Sequence, residues 1–214
     1  MLYFNADVLY NNERGIMKTK KGEKEKLKLI ILDKAVAYFK KHGRIGAGTD
    51  SIMKHIGLSR GALYSHFKSK DDFFAQAICR DLENLEKSIA HRFREEGPHA
   101  LKTMIEDHLS EKSLVEVGES CVFTSLSSDM HRCKPIHRTA FESHMNRIYA
   151  LFEAELKKAF PKDSIDEIRA KALNLYSSLV GTLSMARTMK EKKRALEILD
   201  AGKKLLVSTY APLA

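Results

Sequence analysis

The sequence predicts an all-α chain in two parts: a small three-helix unit, then a larger helical domain, about nine helices in all. Three observations carry this prediction. Apolar residues recur at spacings of three and four along nearly the whole chain, with no convincing strand alternation and no internal repeat. Serine caps and glycine or proline breaks punctuate those runs where helices should start and stop. The net charge of +9 over 214 residues lies wholly in residues 1–70, which hold 15 Lys+Arg against 6 Asp+Glu. The remainder is balanced, so the two parts differ in electrostatic character as well as in position.

Composition excludes several classes. At 43% apolar the chain can bury a sizeable core, and 4 prolines with 11 glycines argue against low complexity. With 3 cysteines a disulfide framework is not expected; reduced thiols and a cytoplasmic setting are. No apolar run approaches the roughly 18 residues of a membrane span, and the N-terminus lacks a basic-then-apolar leader pattern. Double-stranded DNA is the expected polyanionic partner, with no membrane, metal or cofactor.

The elements follow in order. Residues 1–16 fit no periodic pattern, and Met17 opens a lysine-rich run leading into the first helix. Glu13-Arg14 can be encoded as a ribosome-binding sequence, which makes Met17 the expected start; intact mass of untagged protein from its native host tests this. Residues 1–22 are read as an arm, 23–70 as the small basic unit and 71–214 as the larger helical domain. Helix one is expected over Glu23–His42, with Leu27, Ile30, Ile31, Ala35, Tyr38 and Phe39 as its stripe and Gly43 ending it. Helix two spans Thr49–Ile56 and stops at Gly57. Helix three runs from its cap Ser59 to His66, with Leu63 and Phe67 facing inward. Ser69-Lys70-Asp71-Asp72 reads as a capping box for helix four. After Gly97-Pro98, helices are expected over 99–112, 122–131 and 135–160. Another, capped by Ser164, covers 164–189, with a stripe that begins at Ile165 and Ile168. The last covers 192–210.

Helices two and three, joined by Gly57-Leu58, form a helix-turn-helix unit. The second helix of such a unit lies in the major groove and the first crosses the backbone. This reading explains Gly61. Glycine costs about 1 kcal/mol relative to alanine within a helix, but Gly61 and Ala62 permit close approach to a groove about 12 Å wide. Arg60 can reach a guanine edge and Ala62 a thymine methyl. Tyr64 and His66 point towards phosphates, and Lys70 sits at the start of helix four, whose free N–H groups favour a phosphate oxygen.

The string "TDSIMKHIGLSRGALYSHFKSKDDFFAQAI", with "ILDKAVAYFKKHG" before it, resembles the tetracycline-repressor (TetR/AcrR) family of bacterial transcription regulators over roughly residues 25–85. The resemblance implies base-facing positions at Arg60, Gly61, Ala62 and Ser65, and phosphate contacts from Tyr64, His66 and Lys70. Ser59, Lys54 and Thr49 belong to the same surface. Many members place Thr at the cap of helix two; here Gly48 stands there and Thr49 follows. Lys20, Lys21 and Lys24 imply further contacts from the arm. The family also implies a homodimer, built from the last two long helices, reading a near-palindromic operator. Ile168, Ala172, Leu175, Leu179, Leu183, Leu196 and Leu199 are its expected seam. A small-molecule effector bound among the fifth to eighth helices would move helix four and release DNA. Met104, His108, Cys121, Phe123, Met130, Phe141, Met145, Tyr149 and Tyr176 are the pocket candidates.

Other functions are weaker readings. Cys121, His131, Cys133 and His137 match no zinc spacing, and redox sensing by Cys121 is an alternative that a Cys121→Ser protein tests. No phosphate loop, nucleophile elbow or paired carboxylates suggest an enzyme. A sequence-indifferent architectural DNA binder is the remaining alternative. Arg60 separates the two, because losing a base contact relaxes sequence preference whereas losing a phosphate contact does not.

Overall fold

A computed structural model describes residues 21–212. Within them every regular element is helical. The helices are α1 (Lys21–Gly46), α2 (Thr49–Ile56), α3 (Arg60–His66), α4 (Lys70–Glu95), α5 (Ala100–His108) and α6 (Glu111–Val115). They continue with α7 (Val122–His131), α8 (Pro135–Ala159), α9 (Ile165–Arg187) and α10 (Lys192–Tyr210). Short 3₁₀ turns lie at Gly97–His99 and Val117–Glu119. The proposed arm up to residue 20, with its start at Met17 and the Lys20 contact, falls outside the described residues.

α1 buries Ile31, Leu32, Ala35, Val36 and Phe39, while Ile30 stays 41% exposed despite its place in the expected stripe. Gly43 takes φ 68° and ψ 166°, breaking the helix where predicted, and one further turn follows to Gly46. The first turns of α4 belong to the core of the N-terminal unit. Phe73 packs against Phe39 at 5.6 Å and against Phe67 at 4.6 Å between ring centroids, and Phe74 meets Phe39 edge-on at 4.9 Å. The same helix then runs on to line the second domain, so one rigid rod joins both parts.

The expected fifth helix is two helices. Leu109 leaves helical geometry (φ −96°, ψ 39°) to bury its side chain fully. Ser110 then caps a new helix, its Oγ accepting the Ser113 N–H at 3.1 Å. Periodicity could not show this break, because both pieces present apolar residues to the same core. The Ser164 cap is a reciprocal box: the Ser164 N–H donates to Glu167 Oε2 at 2.7 Å and the Glu167 N–H to Ser164 Oγ at 3.3 Å. Ile165, counted in the α9 stripe, is 82% exposed beside that cap.

The expected dimer seam is also corrected. Ile168, Ala172, Leu175, Leu179, Leu183 and Leu199 are at most 4% exposed within the single chain, and Leu196 packs partly buried against the same core. Side chains already covered by their own chain have no surface to offer a second copy. Besides Ile165 at the cap, the large apolar side chains left outside on these two helices are Leu173 (41%), Met185 (57%) and Leu205 (65%). α9 and α10 cross closely: a Cβ on Gly202 would lie 2.6 Å from Thr182 Cγ2.

Candidate nucleic-acid interface and ligand cavity

α2 and α3 are positioned by a left-handed glycine and a serine cap. Gly57 (φ 85°, ψ 26°) turns the chain, and the Leu58 N–H returns to the Met53 carbonyl at 2.8 Å. Ile52, Met53, Ile56 and Leu63 anchor the pair from below. Gly48 is the N-cap of α2 and supplies no side-chain bond, so Thr49 is the first helical residue, as the departure from the family pattern implied. Ser59 Oγ accepts the Ala62 N–H at 3.4 Å.

What remains outside is the predicted reading surface. Lys54, Ser59, Arg60, Gly61, Tyr64 and Ser65 are exposed; Thr49, Ala62, His66 and Lys70 are half-buried. Lys24 is exposed on α1, and nothing is described of the Lys21 side chain. Among the described residues the space around Gly61 is open: the nearest atom to an added Cβ is Ser59 Oγ at 3.8 Å. No helix crossing among the described residues requires a glycine there. Arg60 is exposed, with its guanidinium 3.5 Å from Asp50 Oδ2. Burial and the nearby ammonium groups of Lys24 and Lys28 push the His66 imidazole below its ordinary pKa. Lys24 and Lys28 thus supply positive charge between α1 and α3, and they favour the neutral form of the His66 ring beside them.

The cap of α4 differs from its prediction in one half. Ser69 Oγ accepts the Asp72 N–H at 3.1 Å, but Asp72 Oδ2 accepts from Lys68 rather than Ser69, at 2.9 Å. The carboxylate therefore pins the α3–α4 connection instead of closing the box. A second carboxylate ties this unit to the other domain. Asp129 of α7, 8% exposed, accepts the Arg44 N–H at 3.1 Å just after Gly43, and Arg44 Nη1 lies 2.6 Å from Asp71 of α4.

The second domain holds a cavity of about 390 Å³. Met104, His108, Cys121 and Tyr176 line it, as predicted. The other candidates do not. Tyr149 and Phe123 stand behind Tyr176, ring to ring at 5.9 and 6.1 Å, while Phe141 and Met130 are core residues at 4 and 5% exposure, and Met145 packs against that core. Sequence reasoning missed Asp81, Asn84, Ser88 and Arg92 of α4, Asp107 of α5, Phe152 of α8 and Lys40 of α1. The α4 set has a helical period interleaved with Leu85 and Ile89 and could have been found; Lys40 carried no such signal. Cys121 Sγ lies 3.6 Å from Tyr176 Oη. Burial raises Tyr176 well above its usual pKa, and burial, followed by nearby Arg187, holds the His108 imidazole down at about 4. The two ring systems are therefore neutral at physiological pH. Among the described residues no group of three His, Cys, Asp or Glu stands close enough to hold a metal ion, and no helix is long and apolar enough to cross a membrane.

Residues 31–77 match the model of bacterial regulatory proteins, tetR family. An uncharacterized HTH-type transcriptional regulator, YezE of Bacillus subtilis (strain 168), is 28% identical over 82 residues, which are 38% of this chain and 41% of YezE. The match thus spans less than half of that relative. Two solved structures share the fold over most of their length. A TetR-family regulator from Agrobacterium tumefaciens superposes with a TM-score of 0.73 at 15% identity, covering 88% of this chain and 99% of its own. FadR of Bacillus subtilis, in complex with stearoyl-CoA, gives 0.65 at 16% identity over 84% and 97%.

Proposed function

We propose that the chain, whose residues 31–77 match the model of the tetR family of bacterial regulatory proteins, is a homodimeric, sequence-specific DNA-binding repressor released from its operator by a small molecule. The observation that carries this reading is Gly61: an exposed, uncrowded helix residue without a side chain, set between Arg60 and Tyr64 on the basic unit. That surface suits a major groove, with Arg60, Ala62 and Ser65 facing bases and Tyr64, His66, Lys54 and Lys70 facing phosphates. Thr49, Ser59 and Lys24 lie on its margin. A dimer is supported by the apolar side chains left outside on α9 and α10, Leu173, Met185 and Leu205, around the small residues Ser177, Gly181 and Ala201. Two copies joined there would present two reading heads to a near-palindromic site.

The cavity supports effector control, and FadR, bound to stearoyl-CoA, is an instance of this fold holding a ligand. Release requires a ligand with different affinity for the DNA-competent and DNA-incompetent states. α4 is suited to carry that difference, since its first turns sit in the reading head's core and its middle lines the cavity.

The test is titration of the purified chain onto DNA upstream of its own gene and onto scrambled DNA, across a salt series, for wild type and Arg60→Ala. Preference for the upstream DNA, lost in Arg60→Ala at a cost of about 1–3 kcal/mol, is the expected outcome. Equal binding of both DNAs, with only salt mattering, would favour an architectural role.

A further inference from the structure

We infer that the cavity takes an uncharged, elongated amphiphile whose hydrogen-bond acceptor meets the ammonium of Lys40, so that the ligand touches α1 directly. The inference rests on the reading of this chain as a ligand-controlled regulator and concerns the same cavity.

Charge comes first. Both cations in the wall already have carboxylate partners. Lys40 Nζ lies 2.9 Å from Asp81 Oδ1, with the two side chains 5 and 19% exposed. Arg92 lies 2.7 Å from Asp107 and 3.2 Å from Glu96. A ligand carboxylate at the α1 end would enter beside Asp81 and Glu119, which also lines the cavity. A ligand ammonium would enter beside Lys40. Either would leave water without an unmatched partner waiting, and a charge so placed is costly. An uncharged ligand avoids this. It also suits the apolar stretch between the pairs, made by Leu85, Ile89, Met104, Phe152 and Leu179.

Shape follows from α4. Its lining residues run from Asp81 to Arg92, eleven residues along one helix, or about 16 Å at 1.5 Å per residue. Spread over that length, a volume of about 390 Å³ leaves a narrow mean cross-section.

The polar contact is set by donor count. An ammonium carries three N–H donors, and the Lys40 hydrogen bond found among the described residues goes to Asp81. A ketone, ester or ether oxygen can take a second donor without disturbing the ion pair. Lys40 belongs to the helix whose Phe39, the next residue back, is central to the reading head's aromatic core. A ligand bonded at Lys40 thus acts on the head without an intermediary element. Stearoyl-CoA, the ligand seen in FadR, is an anion, and the paired charges here select against that class.

The experiment uses the full chain and four eight-carbon probes: 2-octanone, octane, octanoate and octylamine. Thermal unfolding at matched free probe concentration gives relative affinities by mass action. The ketone is expected to bind roughly three- to tenfold tighter than octane, the value of one net hydrogen bond, and at least about tenfold tighter than either charged probe. The double variant Lys40→Met with Asp81→Leu removes the ion pair whole, leaving no stranded charge. It should keep octane affinity and lose the ketone's advantage. Tighter binding of octanoate or octylamine, no binding of the ketone up to its solubility, or a ketone preference that survives the double variant would each overturn the inference. Ligand-free wild type titrated in parallel with the upstream DNA separates the two questions. Failure there counts against the regulator reading, and failure of the ketone counts against the ligand class.

Discussion

Replacing Gly61 by alanine should stabilise the free protein and weaken its hold on DNA, and the combination is diagnostic. Gly61 is the second residue of α3, after the Ser59 cap and Arg60. Its backbone is ordinary helix, and an added Cβ would find only Ser59 Oγ at 3.8 Å, a normal contact. The methyl therefore costs nothing inside the chain, while the unfolded state loses the extra freedom of glycine. Mid-helix the gain is about 1 kcal/mol; one residue inside the cap it should be nearer 0.5 kcal/mol. In a chain of this size that raises Tm by roughly 1–2 °C, readable by circular dichroism or calorimetry. At the DNA surface the same methyl occupies the closest approach between helix and groove, and steric mismatch there should lower affinity for the preferred site at least tenfold, about 1.4 kcal/mol. Affinity by fluorescence anisotropy on labelled upstream DNA gives the second number. An alanine variant that binds as tightly as wild type would refute the close-approach argument. A lowered Tm would refute the claim that nothing in the chain crowds Gly61.

Three further outcomes are expected. Met185→Glu with Leu205→Glu, which places charge on the exposed apolar side chains of α9 and α10, should shift the protein from dimer to monomer in sedimentation velocity; an unchanged dimer would place the interface elsewhere. Asp129→Ala strips the carboxylate that accepts the Arg44 N–H and should cost about 1–3 kcal/mol in urea unfolding, as expected for a buried donor left unpaired. The His108 imidazole titrates at about 4 in the folded chain against an ordinary 6.5, so below pH 6.5 the unfolded state binds the extra proton first. Stability is fully present above that pH and should fall by about 3 kcal/mol as pH drops from 6.5 to 4; His108→Gln should flatten that part of the profile, and an unaltered profile would show that His108 is not its source.

The helix-turn-helix unit was legible because each part of it has a local cause. Gly57 supplies a left-handed turn, Ser59 and Ser69 supply caps, and Leu63 and Phe67 face the core at the spacing their helix dictates. None of these depends on what lies far away in sequence. The failures share the opposite character. Ile168, Leu175 and Leu183 have the periodicity of a buried face, but periodicity does not say whether a chain buries that face against itself or against a copy; here its own helices cover it. Leu109 reads as one more apolar residue of a continuous helix, yet full burial and the Ser110 cap break the helix there. Phe141 and Met130 have the composition of a pocket wall and the exposure of a core.

Lys40 is the most consequential of these cases. It lies among the lysines of the basic third of the chain, whose charge pointed to a polyanionic partner. Folding divides the lysines by helix face. Lys24 and Lys28 flank His66 at the reading surface, while Lys40, four turns later on the same helix, turns inward to Asp81 and the cavity. The two faces of α1 thus meet two different chemistries, one per end. A regulator whose DNA-reading unit shares a helix with its ligand cavity needs no long relay between them: a change at Lys40 and a change at Phe39 are changes in adjacent residues of one rigid element. That geometry also limits what a ligand must do. It has only to favour one placement of α1 and α4 over another by a few kcal/mol, the scale of a small number of hydrogen bonds and buried methylenes.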